Sequence, residues 1–158
     1  MTGYQGRLRG DGLRVAVVTS RFNDLVTDRL LAGCLDGLDR LGVDPASVTR
    51  ASVPGALELP LVAHRLATSG DHDAVVCLGA VIRGATDHHL HVGGQCAAGL
   101  ARIQLDAGIP VVFGVLTTDS LEQALERAGG KSGNKGFEAA ATAVEMVDLL
   151  RQLPKSGA

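Results

Sequence analysis

Residues 74–92 read AVVCLGAVIRGATDHHLHV. The opening run, Ala74 to Leu78, is apolar without polar alternation. That pattern predicts a strand buried on both faces, as in a parallel sheet covered by helices. Gly79 closes the run, and the chain then passes through Arg83, Gly84, Thr86 and Asp87 before small and apolar residues return at helical spacing. A buried strand followed by a Gly-bearing turn and a helix start is where α/β sheets bind ligands. Unpaired N–H groups and the helix dipole favour an anion there. His88, His89 and His91 add imidazoles, so the segment has the chemistry to hold a phosphate and to move a proton. An ordinary strand-to-helix turn carrying surface histidines has the same letters, and the segment alone does not separate the two.

Upstream, Arg14–Ser20 is a β-branched run that predicts a second buried strand. Asn23 is a suitable N-cap for a helix over Asp24–Leu41, with Leu25, Leu30, Leu31, Cys34, Leu38 and Leu41 as its apolar stripe and Gly42 as its stop. Val48–Val53 predicts a short strand, turned by Pro54-Gly55. A helix over Leu57–Ser69 follows, with Pro60 tolerable only in its first turn.

Downstream, a helix over His88–Ala107 carries Val92, Cys96, Leu100, Ile103 and Leu105. It also carries Gly93, Gly94 and Gly99, each costing up to about 1 kcal/mol against Ala. Such glycines predict very close packing, by another helix of this chain or of a second copy. Pro110–Leu116 predicts the last strand, and Ser120 caps a short helix over Leu121–Ala128. A glycine-rich turn spans Gly129–Gly136, and the final helix, Phe137–Leu153, stops at Pro154. The alternation predicts one domain over residues 1–158, with a four-stranded parallel sheet and helices on both faces. Met1–Gly12 is polar and Gly-rich, and reads as a tail or as an arm that pairs with something else.

Composition excludes several functions. The net charge of −2 is scattered, with no basic block for nucleic acid. The longest apolar run, 74–82, is well short of the roughly 18 residues that span a bilayer, and the N-terminus lacks the apolar core of a signal peptide. Cys34, Cys77 and Cys96 lie far apart among apolar neighbours and read as buried thiols in a reducing cytoplasm. The three histidines lack partners at the spacing of a metal-ligand set, so no metal is expected. Gly130-Lys131-Ser132 resembles the end of a P-loop, but Leu125 stands where that motif needs Gly, and a helix precedes the turn. A G-x-S-x-G elbow is absent.

In a parallel sheet the carboxyl ends of the strands share one edge. That edge is expected to gather Phe22-Asn23, Ala56-Leu57-Glu58, Val81 to His91, and Phe113. Phe22 and Phe113, two of only three phenylalanines, read as strand-end aromatics, with core packing as the alternative. Glu58 suits a ligand contact or compensation of a helix dipole equally well. Arg127 and Lys135 flank the last glycine turn. A guanidinium fork fits phosphate, although an arginine at a helix C-terminus also has a purely structural use.

Several blocks, in order, then carry a resemblance: Ser20-Arg21-Phe22-Asn23, Val53-Pro54-Gly55-Ala56-Leu57-Glu58-Leu59-Pro60, Gly79-Ala80-Val81-Ile82-Arg83-Gly84-Ala85-Thr86, and Lys131-Ser132-Gly133-Asn134-Lys135-Gly136. From about Tyr4 to the last helix the chain resembles the 6,7-dimethyl-8-ribityllumazine synthases. The resemblance implies a flavodoxin-like three-layer sandwich and the condensation of 5-amino-6-(D-ribitylamino)uracil with 3,4-dihydroxy-2-butanone 4-phosphate, releasing phosphate and water, with no cofactor or metal. Position by position, it implies that Phe22 stacks on the pyrimidine, while Asn23, the Ala56-Leu57 backbone and Glu58 hold its ring edge and ribityl chain. Val81 and Ile82 become the floor, and Ala85 and Thr86 offer N–H groups to the phosphate. His88 transfers protons, and Arg127, Phe113 and Lys135 close the site from a neighbouring subunit.

The same resemblance implies a homopentamer with sites between subunits, a shell of about 60 subunits in some members, an N-terminal arm that adds a strand to a neighbour's sheet, and riboflavin synthase as a partner. One departure stands out. After His88 the family usually has an aromatic and then an acid, whereas this chain has His89 and Leu90. The competing reading is a non-catalytic flavin- or lumazine-binding shell protein, which has no need of His88 or Arg127.

Overall fold

A computed structural model of the chain describes residues 1–157. Four parallel strands, β1 (Val15–Ser20), β2 (Val48–Val53), β3 (Ala74–Ile82) and β4 (Val111–Thr118), lie in the order β2-β1-β3-β4. The helices are α1 (Asp24–Arg40), α2 (Leu59–Ala67), α3 (His88–Ala107), α4 (Leu121–Arg127) and α5 (Lys135–Gln152). Strand parity divides the core. Val15, Val17, Val76, Leu78, Val112 and Leu116 pack with Leu30, Leu38, Ala140 and Val144 of α1 and α5. Ala16, Val18, Val75, Cys77, Val111 and Val115 pack with Leu59, Ala63, Cys96 and Leu100 of α2 and α3. The result is the expected three-layer α/β sandwich, each fully buried Val or Leu contributing about 1.5–3 kcal/mol.

The structure differs from the expectation at points that matter for the site. Strand β3 does not stop at Leu78 but runs to Ile82, because its far half pairs with β4 from Gly79↔Val115 to Ile82↔Thr118. Gly79 therefore sits inside a strand. A Cβ there would stand 2.9 Å from Ser20 Oγ, so the residue is needed for close approach. The turn itself is displaced to Arg83–Asp87. The glycine-rich segment before α5 is a small antiparallel hairpin, β5 (Ala128–Gly130) with β6 (Gly133–Asn134). Leu25 and Leu105, expected in apolar stripes, are exposed; Val26 and Thr27 take the buried places at the start of α1.

Helices α1 and α5 meet closely where glycines remove side chains. A Cβ at Gly136 would overlap the Leu30 carbonyl, and one at Gly37 would lie 3.0 Å from Ala140 Cβ. Asn134 locks this contact. Its Oδ1 accepts from Gly136 N at 2.8 Å and Phe137 N at 3.2 Å, while its Nδ2 donates to Arg29 O at 3.1 Å. One side chain thus caps α5 and ties it to α1. The N-terminal arm is irregular and lies along α5. Arg7 N donates to Asp148 Oδ2 at 2.8 Å, and Gln152 Nε2 donates to Gln5 O at 2.7 Å. At the opposite end of the sheet from the turn, Arg14 meets Asp73 at 3.2 Å, and Arg151 approaches the same carboxyl at 3.8 Å.

Candidate active site

The carboxyl ends of β1, β2 and β3 open into a cavity of ≈ 550 Å³. Backbone bonds continue the parallel pairing past the strand ends and set its near wall. Arg21 N donates to Val53 O at 2.8 Å, and Phe22 N donates to Pro54 O at 3.0 Å. Phe22 is thereby held beside Gly55–Glu58 with 72% of its surface exposed, which rules out core packing. Glu58 turns back over Gly55, whose Cβ, if present, would stand 3.1 Å from Glu58 Oε2.

Asn23 is the one non-glycine residue with positive φ (64°) among those described. It occupies the N-cap position of α1 but makes no side-chain cap. Instead Nδ2 donates to Ala80 O at 2.9 Å, fastening the start of α1 to the end of β3. The predicted cap is corrected accordingly: the side chain bonds the Ala80 carbonyl at the cavity instead of the helix N–H groups. Asn tolerates this left-handed backbone better than most residues.

Val81, Ile82, Gly84, Thr86, His88, His89 and Val92 form the remaining wall. Arg83 N donates to Thr118 O at 2.9 Å, which anchors the turn where it leaves the sheet. Helix α3 then begins without a side-chain cap: Asp87 makes none, and His88 N reaches only Thr86 Oγ1, at 3.4 Å. Of the first-turn N–H groups, those of His88 and Leu90 are engaged, and the dipole of this 20-residue helix still favours an anion at this end. Ala85 lies exposed in the same turn, just outside the lining.

Nine expected residues share this cavity: Phe22, Asn23, Ala56, Leu57, Glu58, Val81, Ile82, Thr86 and His88. Three do not. Arg127 and Lys135 line a separate cavity of ≈ 380 Å³ with Thr117, Ser132 and Glu138. Lys135 also borders, with Phe113, a gap of ≈ 410 Å³ between α3 and α5 along β4. Phe113 is not at a strand end: it pairs with Cys77, early in β4, and is 39% exposed on the open edge of the sheet. Gly55, Ala80, Gly84, His89 and Val92 complete the cavity; Gly84 and His89 fall within the Val81–His91 stretch expected at this edge, though no binding role was assigned to them. His89 was legible, since residues 89, 93, 96, 100 and 103 form the buried face of α3 at alternating spacings of four and three.

The three cysteines are free and buried. Burial raises the Cys34 thiol to about 12 and the Cys96 thiol to about 11, and pushes Cys77 higher still, so none is a ready nucleophile. Among the described residues no group of three or more His, Cys, Asp or Glu side chains is arranged to hold a metal ion, and no helix is long and apolar enough to cross a membrane.

A parallel α/β domain whose strand ends carry an exposed aromatic, a carboxylate, an imidazole and a helix start around one cavity has the architecture of a small-molecule-binding α/β domain. The comparison with known families makes this specific. The 6,7-dimethyl-8-ribityllumazine synthase profile matches residues 12–151. The chain is 55% identical over 152 residues to the 6,7-dimethyl-8-ribityllumazine synthase of Syntrophus aciditrophicus (strain SB), covering 96% of this chain and 99% of that one. The chain belongs to the 6,7-dimethyl-8-ribityllumazine synthase family.

Proposed function

We propose that the cavity binds 5-amino-6-(D-ribitylamino)uracil and 3,4-dihydroxy-2-butanone 4-phosphate and joins them into the lumazine, with release of phosphate and water. The observation that carries the reading is the convergence of Phe22, Glu58 and His88 on one cavity beside the uncapped start of α3. Phe22 offers a ring face to the pyrimidine. Asn23 Oδ1, Glu58 and the Ala56-Leu57 backbone hold its polar edge and ribityl hydroxyls, over a floor of Val81 and Ile82. The phosphate sits on the N–H groups of the Ala85–Thr86 turn.

The amine of the pyrimidine attacks the ketone, water leaves to give an imine, and phosphate is eliminated. The enol left by that elimination tautomerises to a new ketone, and attack on it by the ribityl-bearing nitrogen closes the ring and releases another water. His88 relays the protons, a role worth typically about 10²–10⁴ in rate. Holding the two reactants together contributes much of the rest.

Arg127, Lys135 and Phe113 lie on other surfaces of the chain. They serve this reaction when a second copy presents them to the cavity. Arg127 then completes the phosphate site, while Lys135 and Phe113 close it, in a ring of five subunits. The exposed edge of β4 supports such a contact, because an unpaired edge invites a partner. Closure of rings into a larger shell, a neighbour's sheet paired by the arm, and riboflavin synthase as a partner belong to the same proposal. The buried free thiols support a cytoplasmic location.

The test is to mix both substrates and follow the fluorescence of the product in wild type, His88→Ala and Arg127→Ala. Turnover by the wild type and its loss in both variants is expected. A protein that binds the pyrimidine tightly yet makes no product would establish the storage role instead.

A further inference from the structure

We propose that His89 is a positioning residue for the phosphate-bearing substrate, acting through the carbonyl of Thr86. The inference rests on the site assignment above and adds a residue to it. His89 is buried, 9% exposed, and lines the cavity beside His88. Its Nδ1 lies 3.2 Å from Thr86 O. A carbonyl only accepts, so Nδ1 carries the proton and Nε2 of the neutral ring is left as an acceptor.

Among the described residues Thr86 O accepts no other hydrogen bond. The helix ladder starts one residue later, with Leu90 N donating to Asp87 O at 3.0 Å. Thr86 is therefore held at two points, its hydroxyl by His88 N and its carbonyl by the His89 ring. The preceding residues gain little from packing. Residues 83–87 are all exposed, and a Cβ at Gly84 would touch nothing within 4 Å. At its far end the turn is secured by Arg83 N on Thr118 O. At the helix end the imidazole of His89 performs that task. A phenylalanine here would fill the space but give the carbonyl up to solvent and leave the turn free to shift.

Three substitutions separate the hydrogen bond from the bulk. His89→Phe removes the donor, His89→Asn keeps an N–H where Nδ1 stands, and His89→Gln moves it to the place of Nε2. The expected result is a KM for the phosphate-bearing substrate, and a Kd for inorganic phosphate, weakened about 3- to 10-fold in the Phe and Gln variants and restored in Asn. The KM for the pyrimidine and kcat should change far less. A long-range ¹H–¹⁵N spectrum of the wild type should show the His89 proton on Nδ1.

Three variants that behave alike, an equal change in both KM values, or a proton on Nε2 would each overturn the role. If His89→Phe does not fold, the Asn–Gln pair and the spectrum still decide. A wild type that neither binds phosphate nor turns over sinks the parent assignment and this role with it. Alike variants in an active enzyme sink this role alone.

Discussion

Two regions of the molecule carry the residues for one proposed reaction, and they are built differently. The cavity at the ends of β1, β2 and β3 is made by backbone: consecutive strand ends, an Asn in a left-handed conformation, and an uncapped helix start. The flank formed by β4, α4 and α5 carries Arg127, Lys135 and Phe113, and the two cavities described there include neither Phe22 nor His88. The first region is shaped as a binding site within a single chain. The second offers a cation fork, an ammonium and an aromatic face to whatever covers it. A pocket at one place and exposed groups at another are what the proposed head-to-tail contact between copies would bring together.

The most severe way to break the comparison is His88→Ala. It should lower kcat by about 10²–10⁴ while leaving the urea midpoint unchanged, since the side chain is exposed. A loss below tenfold would remove proton transfer from that side chain.

Mixing sharpens the comparison further. His88→Ala and Arg127→Ala chains, unfolded and refolded together, should regain about a quarter of the wild-type sites if each site takes one group from each of two copies. Activity no higher than that of either parent would mean that the two regions do not share a site.

Arg127→Ala alone should weaken use of the phosphate-bearing substrate by about 10- to 100-fold, the range for a hydrogen bond to a charged group. Steady-state titration of each substrate checks it, and an equal effect on the pyrimidine would point to lost assembly rather than to a lost phosphate contact.

Gly136→Ala tests what holds the flank in place. The added Cβ overlaps the Leu30 carbonyl, so stability should fall by about 1–3 kcal/mol or more in denaturant unfolding. Lys135, at the start of the displaced helix, should lose its position with it.

The smallest effect is expected far from both regions, at Asp73. Burial pushes its carboxyl up, but the hydrogen bonds and charge of Arg14, with Arg151, outweigh this and leave it below its ordinary value. A depressed carboxylate stabilises the fold above its unfolded value of about 3.9 and stops doing so as pH falls through the folded value. Asp73→Asn should therefore flatten the stability–pH curve below about pH 4 and leave the cavity's activity at neutral pH intact. Equal acid sensitivity in the variant would show that the Arg14 pairing contributes nothing.

The sandwich was legible because buried parallel strands read as unbroken apolar runs and the helices between them carry their own stops at Gly42 and Pro154. So was most of the cavity, since strand ends in a parallel sheet must meet at one edge. Phe113 was misplaced for an equally physical reason. An apolar run shows that a strand exists, but its alignment with β3 comes from interstrand pairing, and that pairing sets Phe113 opposite Cys77, away from the carboxyl edge. Sequence also cannot tell a capping asparagine from one turned inward, because the choice at Asn23 depends on where Ala80 O lies after β3 has run on past Gly79.

By itself, then, the order of residues determined the architecture, the edge on which the cavity opens and the chemical types found there, because these follow from local pattern and from chain connectivity. Only the tertiary structure decided the length of β3, the partner of Asn23, the tie from His89 to Thr86 and the separation of Arg127 from His88. Each of those depends on contacts between segments distant in the chain or on a local backbone path, and no periodicity encodes them.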